Sequence, residues 1–301
     1  VDKFQEVSLF LAVAEARSFA AAGRRLGLSA STVTRAVAAL EARLGILLLV
    51  RTTRHVRLTD AGEQFAHDCR AVLDSLAQAE EAAAGGRVQP RGELSVTAPT
   101  LFGELHVMPA IVDYLRQHRR VRLRALLVDR VVRLLDEGVD VAVRIGRLPD
   151  SSLTAIHVGD VRRIVCAAPD FLARAGVPSH PDMLPRYCTV SVVMEGQMDR
   201  WRFVCDGHAR DLDVQAQLTV TSSQAAVRAA VQGWGLAQVV SYQAAGALRE
   251  GALQVVLREF EPPPLPVHVV YPEGRKGAAK VRSFVEFCVE RLRAELAELP
   301  A

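Results

Sequence analysis

The chain has little that would mark it as secreted, metal-bound or catalytic. Its five cysteines, Cys69, Cys166, Cys188, Cys205 and Cys288, are odd in number, scattered and never in a C-x-x-C spacing, which excludes a disulfide framework and suits reduced thiols. No H-E-x-x-H, G-x-S-x-G, P-loop or G-x-G-x-x-G occurs, so the common motifs of zinc, nucleophile and nucleotide chemistry are missing. The eight histidines are dispersed without metal-ligand spacing. No cofactor and no catalytic site are expected. A basic segment leading into an apolar core does not open the chain, and no run approaches the roughly 18 unbroken apolar residues of a membrane span. The expected compartment is the cytoplasm, with no membrane partner.

What is present suits folded domains: 301 residues, half of them hydrophobic and 24% charged, enough for two or three separate cores. The net charge of +3 hides an asymmetry. Between Arg24 and Arg57 seven arginines face one acid, Glu41, a local surplus of +6, so the rest of the chain sums to −3. A basic head on a slightly acidic body is the pattern of a phosphate-binding module joined to a different domain, although a charge run alone is also what a solvated face shows.

Within the head, Phe4, Val7, Phe10, Leu11 and Ala14 recur at helical spacing, predicting a helix over 2–17. Ser18 caps a second helix, FAAAGRRL, which stops at Gly27, and Ser29 caps a third, ASTVTRAVAALEARL, which ends at Gly45. The short turn between the last two predicts a steep crossing, helix-turn-helix, with one helix free to enter a major groove. The third helix opposes its apolar face with Ser31, Thr32, Thr34 and Arg35, groups able to hydrogen-bond base edges or phosphates; the hydroxyls equally suit caps. After Gly45, ILLLVRTTRHVRLT reads as two strands with Arg51 and Arg54 about the tip, a wing that can approach the DNA backbone.

SFAAAGRRLGLSASTVTRAVAALEARLG followed by LLVRTTRHVRLTDAG resembles the signature of the LysR-type transcriptional regulators, without a gap over roughly the first 65 residues. Gly23 departs from it, standing where that family more often has alanine at a helix-propensity cost of about 1 kcal/mol. Ala30 stands where a longer polar residue is common, so one base contact is removed. The resemblance implies a DNA-binding regulator whose dimer places two recognition helices on a pseudo-palindromic operator.

Asp60 with Glu63 three residues on predicts a capping box, opening a helix that runs to Gly85-Gly86. Phe65, Cys69, Val72, Leu76, Ala79 and Ala83 form a heptad seam along it, suited to pairing two chains or to packing on the chain's own body. The resemblance favours the dimer and makes Cys69 a small seam residue. GGRVQPRG then reads as a linker. The expected organisation is 1–59 winged helix-turn-helix, 60–86 dimerisation helix, 87–92 hinge and 93–301 effector-binding domain.

From Glu93 strands and helices alternate: LSVTAP, a helix to about His118, RLRALLVD, a helical VVRLLDEG, then DVAVRIG, with later strands RRIVCAAP, CTVSVV, WRFVCD, LAQVVSY and LPVHVVYP and a final helix from about 277 to 296. This α/β alternation predicts a parallel sheet covered by helices, whose ligands lie beyond the strand ends at helix N-termini. Thr100, Leu101 and Phe102 after the first strand, and Ser222 with Ser223 after QLTVT, are candidate effector contacts; Thr100 and Ser222 also suit simple caps. Arg144 is a candidate fork for an effector carboxylate, or an ion pair with Asp129 or Asp140. By resemblance the body is a two-lobed, periplasmic-binding-protein-like domain, lobe I about 93–163 and 265–301, lobe II about 164–264, with the small molecule in the cleft and a tetramer as the assembly. The alternative, a cytosolic small-molecule binder or enzyme built on the C-terminal half, leaves the basic head unexplained.

Overall fold

Serines start the second and third helices of the head. In the computed structural model, which describes residues 2–51, 56–83, 89–148, 153–193, 200–272 and 278–298, α1 (Lys3–Ala16) leads to α2 (Phe19–Leu26) and α3 (Ala30–Leu44). The Ser18 Oγ accepts from the Ala21 N–H at 3.3 Å, and the Ser29 Oγ from the Thr32 N–H at 3.1 Å. Phe10, Val33, Val37 and Leu40 are wholly buried in one core shared by α1, α2 and α3. Gly23 lies at the helix crossing: a Cβ there would stand 2.7 Å from the Leu28 carbonyl oxygen. The departure to glycine is thus what lets the turn come so close, and its propensity cost accompanies that packing.

β1 (Leu49–Arg51) and β2 (Val56–Leu58) pair antiparallel as the base of the wing. Its tip, including Arg54, and the Arg51 side chain lie outside the described residues. α4 (Asp60–Ala83) does not start with the expected capping box. Thr59 does the capping: its hydroxyl accepts from the Gly62 N–H at 2.9 Å and donates to the Leu47 carbonyl at 2.8 Å, tying helix to wing. The heptad seam divides. Phe65 and Cys69 pack on the head's core, whereas Val72 and Leu76 are 58% and 41% exposed. The side chains of Ala79 and Ala83 are outside the described set.

The body holds two five-stranded sheets. In chain order come β3 (Gly92–Ala98), α5 (Thr100–Phe102), a π-type turn at Gly103–Val107, α6 (Met108–Gln117), β4 (Val121–Leu127), β5 (Val141–Ile145) and β6 (Leu153–Val161). There follow β7 (Arg163–Ala167), α7 (Pro169–Ala175), β8 (Thr189–Val192), β9 (Arg200–Cys205), β10 (His208–Asp213), β11 (Leu218–Val220), α8 (Ser223–Val231), β12 (Leu236–Val240), α9 (Ser241–Arg249) and β13 (Gln254–Val256). β14 (Leu265–Pro272) and α10 (Ala279–Ala297) close the chain.

One sheet has the order β4-β3-β5-β14-β6 and the other β11-β8-β12-β7-β13. The chain passes from the first sheet to the second at Arg162 and returns after β13. Because β14 re-enters from the other sheet, it runs antiparallel to β5 and β6, and β7 is antiparallel to β12 and β13. Both sheets are mixed, where the alternation predicted a parallel one. Residues 131–133 have no regular structure and 134–138 are turns, where a helix was expected. Val132, Leu134 and Val139 all insert into a small core over Ala142 and Val270, and Gly138 stands at φ +65°, a conformation that ends a helical path.

Candidate DNA-binding face and interlobe seam

At the start of α3 the hydroxyls form a cluster. The Ser29 Oγ lies 2.8 Å from both the Ser31 Oγ and the Thr32 Oγ1, so three of the expected DNA contacts are held together on an exposed edge. Arg35 follows one turn on and is exposed, and Thr34 is half-buried. The basic run resolves into two kinds of arginine. Arg25 pairs with Glu15 at 2.8 Å and Arg43 with Glu6 at 3.0 Å, both acids from α1. Arg24, Arg35 and Arg57 are exposed and form no ion pair among the described residues. Composition over 24–57 could not show this, since the neutralising acids lie outside that window.

The single acid of that run has a structural place the sequence reading missed. The Glu41 Oε1 accepts from the Leu48 N–H at 2.8 Å and from the Leu49 N–H at 3.0 Å. One carboxylate thereby fixes the recognition helix to the first strand of the wing.

The seam between the two sheets of the body is built by aromatics and one crossing. Phe102, fully buried, meets Tyr242 edge-on at 5.2 Å, and Tyr242 packs into the core of the first sheet. Its hydroxyl is pushed up to about 12, chiefly by burial. The Arg162 N–H donates to the Ser241 Oγ at 3.1 Å and the Arg162 guanidinium pairs with Glu261 at 3.2 Å. Beside this seam lies a cavity of about 630 Å³, lined from one side by Leu101, Leu105 and His106 and from the other by Gln224, Val227, Arg228 and Tyr242, with Glu295 of α10 at its edge. The His106 Nδ1 is 2.8 Å from a Glu295 oxygen.

The expected effector contacts are only partly brought together. Leu101 lines the cavity, and Phe102 is buried in the seam itself. Thr100 opens α5, but its N–H is taken: it donates to the Asp129 Oδ1 at 2.9 Å. Ser222 is the cap of α8, its Oγ accepting from the Ala225 N–H at 3.4 Å, and Ser223 beside it is half-buried. Arg144 is elsewhere. Val143 and Ile145 point to the core that holds Phe102, so the alternation of a strand turns Arg144 to the opposite face. There its guanidinium donates to the Val132 carbonyl at 3.1 Å, and the carboxylate whose charge acts on it is Glu137, in place of the expected Asp129 or Asp140. Asp140 instead accepts from the Ser95 N–H at 2.8 Å.

Two family profiles cover the chain: the bacterial regulatory helix-turn-helix protein of the lysR family over residues 4–63 and the LysR substrate binding domain over 87–293. An HTH-type transcriptional regulator of Xanthomonas campestris is 34% identical over 97% of this chain and 88% of its own length. Among solved structures, the LysR-type regulator CrgA from Neisseria meningitidis is 28% identical, covers 96% of this chain and 98% of its own, and superposes with a TM-score of 0.61. The full-length LysG from Corynebacterium glutamicum, determined with its effector arginine bound, shares the fold at a TM-score of 0.62 and 21% identity, over 97% of this chain and all of its own.

Proposed function

The chain belongs to the LysR family of bacterial transcriptional regulators, and from that premise we propose how its parts divide the work. Residues 1–59 grip duplex DNA, 60–86 pair two chains, 87–92 act as a hinge, and 93–301 bind a small effector between lobe I (93–163 with 265–301) and lobe II (164–264). The observation that carries the DNA role is the exposed edge of Ser29, Ser31, Thr32 and Arg35, together with the exposed Arg24 and Arg57, which form no ion pair among the described residues. Thr34, Arg51 and Arg54 complete the assigned contact set. Pairing through Val72 and Leu76 puts two such edges on successive major grooves of a pseudo-palindromic site, and the bodies join two dimers into a tetramer. The working compartment is the cytoplasm, and no turnover is assigned to the protein.

The effector occupies the seam, with Leu101 and the first turn of α8 after Ser222 and Ser223 on its two sides. Arg144, the residue that suggested a carboxylate effector, donates to the Val132 carbonyl and faces away from Phe102, and Thr100 gives its N–H to Asp129. Effector binding acts by favouring one arrangement of the lobes, so DNA and effector affinities are reciprocal. A genome-wide footprint with the purified full chain tests the reading: protected sites should consist of two related half-sites and weaken steeply between about 50 and 200 mM salt. A chain that protects no duplex, yet turns over a metabolite, would replace this reading with that of an enzyme.

A further inference from the structure

We propose that residues 128–139 form a coupling loop that joins the interlobe seam at Thr100 to the linker helix α4, and so regulate the effector site assigned above, on which reading the proposal rests. The loop is tied at both ends. At one, the Val128 N–H donates to the Ala98 carbonyl at 3.0 Å and the Asp129 carboxylate accepts from the Thr100 N–H at 2.9 Å, at the start of the segment that carries Leu101 and Phe102. At the other, the Gln64 side-chain amide of α4 donates to the Leu135 carbonyl at 3.2 Å. The His67 ring lies so close to Gly138 that a Cβ there would stand 3.2 Å from it.

Between its ends the loop is braced as one piece. Arg130 holds Glu137 with two bonds of 2.8 and 2.6 Å, and the same Glu137 accepts from the Arg133 N–H at 3.1 Å. Arg144 clasps the Val132 carbonyl from the sheet below. Val132, Leu134 and Val139 anchor it by burial. A segment braced in this way shifts as a unit when one end is released. The end at α4 meets the turns between Gln64 and His67, next to Phe65, Ala66 and Cys69, which pack on the helix-turn-helix core. Hence Asp129, lying at the seam, has a continuous physical connection to the orientation of the DNA-binding head. Asp129 is here a positioning residue: anything that takes the Thr100 N–H from it loosens the attachment of α4.

Native-state amide hydrogen exchange on the full chain tests this without any effector. Asp129→Ala should speed exchange not only at Thr100 but also in α4 peptides covering 64–69, by about fivefold for one net hydrogen bond, while Asp129→Asn, which keeps an acceptor, should restore most of the protection. Reciprocally, Gln64→Ala should speed exchange at Thr100. Acceleration confined to Thr100 in the first variant, or an unchanged Thr100 in the Gln64 variant, overturns the proposal. Gln64 donates from an exposed position, so its variant answers the question even if the Asp129 variant does not fold. Because no small molecule is added, coupling in these measurements stands or falls separately from the footprint that tests DNA binding.

Discussion

Three exposed arginines of the head and three braced arginines of the body serve opposite ends. In the head, Arg24, Arg35 and Arg57 are exposed with no ion pair among the described residues, while in the body Arg130, Arg144 and Arg162 are bound to Glu137, the Val132 carbonyl and Glu261. Unmatched cations kept in water cost little and remain available to an anionic partner. Arginines that are matched inside their own fold serve as struts, and their presence near a cleft says nothing about the ligand. The comparison shows why counting arginines does not by itself separate a surface open to an anion from a brace such as Arg144 on the Val132 carbonyl.

The sharpest way to break it is to remove the head and ask whether the body notices. Phe10→Ala should cost about 3–5 kcal/mol, enough to abolish DNA binding, while calorimetry should still show the melting transition of the body; a body transition that shifts equally would make the two regions one cooperative unit. Next in size, Arg35→Ala should cost about 1–3 kcal/mol on the best operator and relax preference at one base position. An equal loss on all sequences would make Arg35 a phosphate contact. Smaller again is a salt titration: Arg57→Ala should lower the magnitude of the salt slope by about 0.9, whereas Arg25→Ala, whose charge Glu15 already neutralises, should change it by less than half of that. Equal changes would erase the distinction between free and paired arginines.

The smallest effect concerns pH. The Arg130 guanidinium holds the Glu137 carboxyl down to about 2. Since the folded value is depressed, the pair's contribution is fully present above the ordinary glutamate value of about 4.3 and fades as pH falls through about 2. Protection of the 128–139 amides should fall over that window and Glu137→Gln should remove the dependence. A dependence that persists in the variant would assign it to another group.

How much could be read in advance follows the same division. α2 and α3 begin and end where Ser18, Ser29, Gly27 and Gly45 require, because caps act within four residues of themselves. The helix assigned to VVRLLDEG failed since local propensity was overruled by long-range burial of Val132, Leu134 and Val139. HARDLD, the strand β10, went unread: it is almost wholly polar, and its stability comes from cross-strand partners such as Arg202 with Asp211, invisible to periodicity. β6 and β13 were also not anticipated. For the site, Ser29 and Ser222 were legible as helix starts. The facing of Arg144, the hold of Asp129 on Thr100 and the burial of Phe102 depend on register and crossing, which no local pattern encodes.

Glu41 has a thermodynamic consequence beyond its two hydrogen bonds. By joining α3 to the root of the wing at Leu48 and Leu49, it completes the ordering of these parts while the head is folding. The conformational entropy of setting helix against wing root is thus surrendered before DNA arrives. Association then has only rigid-body freedom and the ordering of exposed side chains to offset, so the few contacts of a short recognition edge can translate more fully into affinity.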